Sequence, residues 1–281
     1  MGTRTALIIA TLAAAFATSG AQAADLLPPP PPIEAPPPPG PCCGSGWYLR
    51  GDVGVGAVQI SGWKSTLQPY DEVGNPLAGN LIQPAFVSIG DQGFIDGGFG
   101  YQFNGWFRAD VTGEYRTEAA YRAGIAAANP TPPGFLGADS YNAGIRSALF
   151  LANGYIDFCN CSGITPFIGG GIGLVSHTFS NLVDSGQGYG VASDRNQTNF
   201  AWQVGAGIGF NVTPNFRMEI AYRYLDMGHL ESNPIQCLSP QGCFQERHSF
   251  DLASHDVRLG FRYLLGGPIS TPIPGPIISK Y

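Results

Sequence analysis

WFRADVTGEYR, residues 106–116, decides the fold. Its even positions are Arg108, Asp110, Thr112, Glu114 and Arg116; its odd positions are Phe107, Ala109, Val111, Gly113 and Tyr115. Polarity that alternates with period two belongs to a β-strand whose two faces meet different surroundings. The same split recurs at 47–57, where Arg50 and Asp52 oppose Trp47, Leu49, Val53 and Val55. It recurs at 216–224, with Arg217, Glu219 and Arg223 against Phe216, Met218, Ile220, Tyr222 and Tyr224. At 254–265, Asp256, Arg258 and Arg262 oppose Val257, Leu259, Phe261, Tyr263 and Leu265. Segments 94–104 and 199–211 alternate large apolar residues with small or polar ones, and 141–158 and 164–178 do so less regularly. These segments predict eight strands.

Periodicity alone does not say which face is inside. Three features do. The ionic face collects Arg50, Arg108, Arg116, Arg217, Arg223, Arg258 and Arg262 against Asp52, Asp96, Asp110, Glu114, Glu219 and Asp256, with no lysine among them. An enclosed lumen favours arginine, whose planar fork holds carboxylates in fixed geometry. Aromatic residues (Trp47, Tyr101, Phe103, Trp106, Tyr115, Phe216, Tyr263) crowd the ends of the apolar faces, where interfacial girdles sit. Short connections at Asn104-Gly105, 159–163 and 213–215 alternate with long ones at 59–90, 118–139, 179–196 and 229–252. The expected architecture is an all-β, eight-stranded antiparallel transmembrane barrel with short periplasmic turns and long extracellular loops. A charge on the lipid face costs about 2–4 kcal/mol at the midplane. A one-residue slip would therefore cost on the order of tens of kcal/mol, beyond any folding free energy of about 5–15 kcal/mol.

The rest of the chain agrees with export. Glycine supplies 40 of 281 residues, about twice the average share, which argues against helices. A net charge of −6 gives no basic stripe for nucleic acid. Arg4, the apolar run Ala6 to Ala17 and Ala21-Gln22-Ala23 form a secretory signal over 1–23, cleaved before Ala24. No later run is long and apolar enough for a transmembrane helix. Residues 28–41 (PPPPPIEAPPPPGP) make 24–45 a polyproline linker on the periplasmic side, a spacer or a contact with cell wall or partner. The barrel is expected over 46–265 and a tail over 266–281.

The AQAAD cleavage region, GWYLRGDVGVG at 46–56, FLANGYIDF at 150–158, TPFIGGGIGL at 165–174 and HDVRLGFRYLL at 255–265 resemble the small outer-membrane β-barrel family. That family includes alphaproteobacterial surface antigens and, more distantly, opacity proteins and the OmpA barrel. The resemblance covers essentially the whole mature chain. It implies envelope-structural or host-surface roles in the outer membrane, without catalytic residues or cofactors. Outer-membrane lipid, lipopolysaccharide, the barrel-assembly machinery and cell-wall or host-surface contacts are the partners to expect. The chain departs from the family in GGPISTPIPGPIISKY, residues 266–281, which follows the last strand.

Eight strands enclose a lumen that side chains can fill, so thirteen charged groups (seven arginines, six carboxylates) are expected to plug it. The alternative is a narrow diffusion channel for small solutes, with Gly54, Gly56, Gly98, Gly205 and Gly207 leaving a water path. A remote third class is a lipid-modifying enzyme built on His177-Thr178, His248-Ser249 or His255. Adjacent strand residues point to opposite faces, so such pairs would not meet. GGGIG at 169–173 lacks the Lys-Ser/Thr of a phosphate loop and opens no helix. Six cysteines in an exported chain suggest disulfides rather than zinc. The topology puts Cys42, Cys43, Cys159 and Cys161 at the periplasmic rim, and Cys237 and Cys243 in the last external loop. It predicts a Cys237–Cys243 bridge, with pairing between the first two sets.

Overall fold

A computed structural model describes residues 45–66, 82–130, 133–158, 163–186, 189–238 and 246–265. Among them are eleven strands: β1 (Gly46–Ser65), β2 (Ile82–Ile89), β3 (Gln92–Gln102), β4 (Phe107–Pro130), β5 (Pro133–Asp157), β6 (Ile164–Gly186), β7 (Tyr189–Ala192), β8 (Arg195–Asn211), β9 (Phe216–Glu231), β10 (Gln236–Cys237) and β11 (His248–Leu264). The expected signal segment, proline-rich linker and C-terminal tail lie outside the described residues.

Eight of the strands close a ring in the order β1, β3, β4, β5, β6, β8, β9, β11 and back to β1, each pair antiparallel. Closure leaves no unpaired edge at this level, which a membrane interior requires. At one end the turns are tight. Phe103 N–H donates to the Phe107 carbonyl, and the Asn104 side chain accepts from the amides of Trp106 and Phe107. At the 211–216 turn, Val212 N–H donates to the Phe216 carbonyl and Phe216 N–H to Thr213 Oγ1.

At the other end the strands run further than the sequence pattern suggested. Much of the four long connecting stretches is strand: β1 reaches Ser65, β4 Pro130 and β6 Gly186. Above Gly56 and Gln92 the β1–β3 pairing stops; β1 continues along β11, and β2 lies along β4. β7 extends the sheet beside upper β6, and β10 pairs with β7.

The barrel thus has two tiers with opposite polarity. In the lower tier, bulky apolar side chains point outward: Leu49 and Val55 on β1, Ile95 on β3, Phe150 on β5, Ile172 on β6 and Val257 on β11 are half-exposed or more. In the upper tier, the apolar side chains point in. Tyr121, Ile145, Phe179, Leu225, Leu230, Phe250 and Leu252 are at most 2% exposed and belong to one core. Outward positions there carry Arg122, Arg146, His229 and Asp251.

On β4 a bulge makes the change. Inward residues are even up to Arg116, the ladder slips between Arg116 and Ala119, and inward residues are then odd: Ala119, Tyr121, Ala123 and Ile125. Apart from Thr117 at the bulge, the odd positions from Phe107 to Ile125 hold apolar residues or glycine. The extra residue turns them from the outside to the inside. On β6 the shift falls after Phe179, where Asn181 takes φ 54° and Leu182 and Asp184 become the inward residues.

This arrangement predicts a solvent boundary that can be located on a single strand. Gly113 and Ala120 both face outward on β4, and nothing lies within 4 Å of a Cβ placed at Gly113. Gly113→Arg is expected to lower stability by about 2–4 kcal/mol, the cost of a cation facing mid-bilayer. Ala120→Arg is expected to stay within about 0.5 kcal/mol of the parent, as at a water-exposed position. Denaturant unfolding from lipid vesicles measures both, and equal costs would contradict the two-tier boundary.

Candidate functional site

The lower tier encloses the charged residues that the sequence singled out. Arg50, Asp52, Asp96, Arg108, Asp110, Glu114, Arg116, Arg217, Glu219, Arg223, Asp256, Arg258 and Arg262 all point inward, none more than 8% exposed. Their pairing follows from the ladder, because register neighbours on adjacent strands bring inward side chains together. Arg50 donates to Asp110 at 2.8 Å and to Asp52 at 2.6 Å, and Arg258 reaches both Asp52 and Asp96. Arg262 pairs with Glu219 at 2.9 Å and donates to Gln102 at 3.0 Å. Arg217 lies inward opposite Arg262 in the β9–β11 ladder.

The upper end of this network turns on Arg223. Its Nη2 donates to both Glu114 oxygens at 2.6 and 2.7 Å, its Nε to Asp256 at 2.7 Å and its Nη1 to Gln203 at 2.9 Å. Arg116 reaches Asp256 from the other side at 2.5 Å. A buried guanidinium held by two carboxylates and an amide has most of its fork satisfied, which is what keeps charge tolerable away from water.

Sequence reasoning missed several members. Asp157 accepts from Arg108 Nε at 3.0 and 3.1 Å and lies 3.7 Å from Arg262. With it, seven carboxylates face seven arginines, so the inward set is formally neutral. Asn153 donates to Asp110, and Tyr48 donates to Asp110 at 2.9 Å. Tyr155 accepts from Arg50 and lies beneath the Arg108 guanidinium, 4.0 Å from ring centroid to cation. The signal was present in FLANGYIDF, where Asn153, Tyr155 and Asp157 share one face. Leu149 and Leu151 on that same face broke the polar pattern, because they already belong to the upper core.

Over the ionic layer sits the apolar one, and within it a small polar group near the mouth. Glu246, 3% exposed, accepts from Tyr141 at 2.7 Å, from His248 Nε2 at 2.8 Å and from Ser65. Tyr121 meets His248 Nδ1 at 3.0 Å and accepts from Trp63 Nε1 at 2.7 Å. Burial raises both tyrosine hydroxyls above their ordinary range, with Glu246 adding to the effect on Tyr141.

The histidines do not assemble a nucleophile and base open to substrate. His248 points inward to Glu246 while Ser249 lies on the other face. His177 Nδ1 meets Ser147 at 2.8 Å, but its Nε2 lies 3.1 Å from the Met227 carbonyl and the ring is fully buried. His255 faces outward, 2.5 Å from the Tyr222 hydroxyl. Among the described residues, no group of three or more His, Cys, Asp or Glu could hold a metal ion. Cys42, Cys43, Cys159, Cys161 and Cys243 lie outside the described residues. Of Cys237 only the backbone is described, paired with Gly190, so neither disulfide expectation is tested.

A family profile described as "Outer membrane protein beta-barrel domain" matches residues 9–263. The chain is similar to outer membrane protein PagN of Salmonella typhimurium, 28% identical over 228 residues, covering 78% of this chain and 89% of that protein. It is similar to a Rickettsia felis protein named "Putative adhesin", 26% identical over 225 residues, covering 78% of this chain and 88% of that one. Among solved structures it is similar to Neisserial surface protein A, 17% identical with TM-score 0.43, over 79% of this chain and 98% of that one. It is also similar to OprG from Pseudomonas aeruginosa, 14% identical with TM-score 0.48, over 79% and 97%.

Proposed function

The chain belongs to the outer membrane protein β-barrel domain family, and from that premise we propose a structural and surface role with a lumen closed to solutes. The protein sits in the outer membrane, and its relatives include one named as an adhesin. Its external ends are therefore read as the working surface, meeting lipopolysaccharide, neighbouring envelope components or a host surface. Insertion is assigned to the barrel-assembly machinery, and the proline-rich segment is read as a spacer or a contact with cell wall or partner. No catalytic role is assigned, because the Ser147–His177 side-chain pair lies buried within the apolar layer, with the other ring nitrogen against the Met227 carbonyl rather than a carboxylate.

One observation carries the closed lumen: two unlike stoppers lie in series. The ionic layer leaves a gap of about 20 Å³ among Arg50, Asp52, Gln203, Glu219, Arg223 and Arg258. That is room for about one water. Above it, Tyr121, Phe179, Leu225, Met227 and Phe250 pack into a continuous apolar core. A hydrated solute would have to part both. Planar-bilayer recording of the purified barrel is expected to show no resolvable steps. Regular nanosiemens openings would replace this reading with the narrow diffusion channel.

A further inference from the structure

At the external mouth, one carboxylate is buried with an oxygen left unpartnered. Asp184, on upper β6, points inward and is 7% exposed; its Oδ1 has no hydrogen-bond partner. Its ladder neighbours are Tyr141 on β5 and Gly190 on β7. The groups facing it are mostly acidic. β5 contributes Asp139 and Tyr141, and the residues leading into β11 contribute Glu246, itself bonded to His248. Among the described side chains, β7 and β10 bring no charge against it: Gly190 lies under Ile235, which is 2% exposed. Arg247 turns outward to Glu231 at 3.4 Å. Burial, then Asp139 and Glu246, push the Asp184 carboxyl up to about 7 from an ordinary 3.8.

The β7–β10 pair rests directly on this spot. β10 is joined to β7 through Gln236–Val191 and Cys237–Gly190. Leu238 N–H donates to the Tyr189 carbonyl at 2.8 Å, and Ile235 N–H to the Glu246 carbonyl at 2.8 Å. Ile235 is part of the upper core. The residues that hold the pair down therefore share their floor with three carboxylates.

We propose that Asp184 is a proton-binding site, and that the bound proton holds the β7–β10 pair against the barrel mouth. A neutral Asp184 can lie buried beside Glu246 and Asp139, and its hydroxyl can donate where an ionised oxygen cannot. An ionised Asp184 adds a further negative charge to a site shielded from water. The clasp loosens so that this charge can be solvated. The sign follows from proton linkage. The closed form binds the proton more tightly than the open one, so closure weakens as pH rises from the ordinary aspartate range to about 7, and weakens no further above it. Among the described residues the three carboxylates form no metal-ligand set, which favours a proton over a divalent cation.

Amide exchange at Val191, Ile235 and Leu238, corrected for the intrinsic rate, reads the clasp in the full-length protein in lipid nanodiscs. Opening is expected to rise about tenfold between pH 6 and pH 8. Asp184→Asn should abolish that rise and keep all three amides protected. Asp139→Asn should retain the rise but move its midpoint down, by about half a pH unit or more, through loss of a neighbouring charge. A wild type without pH dependence, or an Asp184→Asn variant that keeps the wild-type slope, overturns the proposal. So does protection at pH 8 that is restored by millimolar calcium and removed by chelator, which would assign the site to a cation. A heat-modifiability gel on each variant confirms that the barrel itself is folded.

Discussion

Arg223→Met is expected to lower the unfolding free energy by about 3–5 kcal/mol, the cost of removing one partner from a buried ion cluster. The figure rests on what Arg223 leaves behind. Glu114 loses both its short hydrogen bonds and keeps only Arg116 at 3.7 Å. Asp256 keeps Arg116 at 2.5 Å, so most of the penalty falls on Glu114. The double variant Arg223→Met/Glu114→Gln should recover a large part of the loss, because an uncharged amide is cheaper to bury unpaired. Urea unfolding from vesicles of defined lipid measures all three proteins. A loss below about 1 kcal/mol would mean that the pairs are screened by water as on a surface. The closed-lumen reading would fall with it.

Phe250→Ala is the second large effect, about 3–5 kcal/mol for truncating a fully buried aromatic side chain. Phe250 is 0% exposed, stacks on Tyr121 at 5.2 Å and meets Phe179 edge-on at 6.2 Å. It shares one core with Val58 of β1 and with the residues inside β4 and β6, and Ile60 packs against that core. Only a dry, protein-lined interior yields a cost of this size. If the upper tier were a wet vestibule between loops, the same truncation would cost well under 1 kcal/mol.

The two substitutions also mark what could and could not be seen in the sequence. The Arg223 layer was legible, because alternation of the kind in WFRADVTGEYR sets polar and charged residues against apolar ones without interruption. The ring of eight followed from those runs. Phe250 was not legible. It lies in 229–252, read as a loop, because Ser249, Asp251 and Ala253 alternate with Phe250, Leu252 and Ser254 in a pattern that has no ionic face. The upper tier is an ordinary water-facing barrel, so its signal is the inverse of the one that identified the lower tier. Where a bulge intervenes, as at Thr117 and Glu118, the apolar residues keep their parity in sequence and change sides in space. Ladder register, rather than periodicity, is the quantity that separates the two cases. Asp157 was missed for the related reason that β5 changes from apolar to ionic lining along a single face.

The reversal of polarity along the strands also sets how deep the molecule rides. A barrel greasy along its whole length could slide along the bilayer normal at little cost. This one has a draught line: sinking would drag the outward Arg122 and Arg146 of the upper wall into hydrocarbon, and rising would lift Val55 and Ile172 into water. Both displacements are penalised, so a bilayer of the wrong thickness must itself thin or swell around the protein. The height at which its outer rim stands above the lipid is a property of the chain and not of the membrane that receives it.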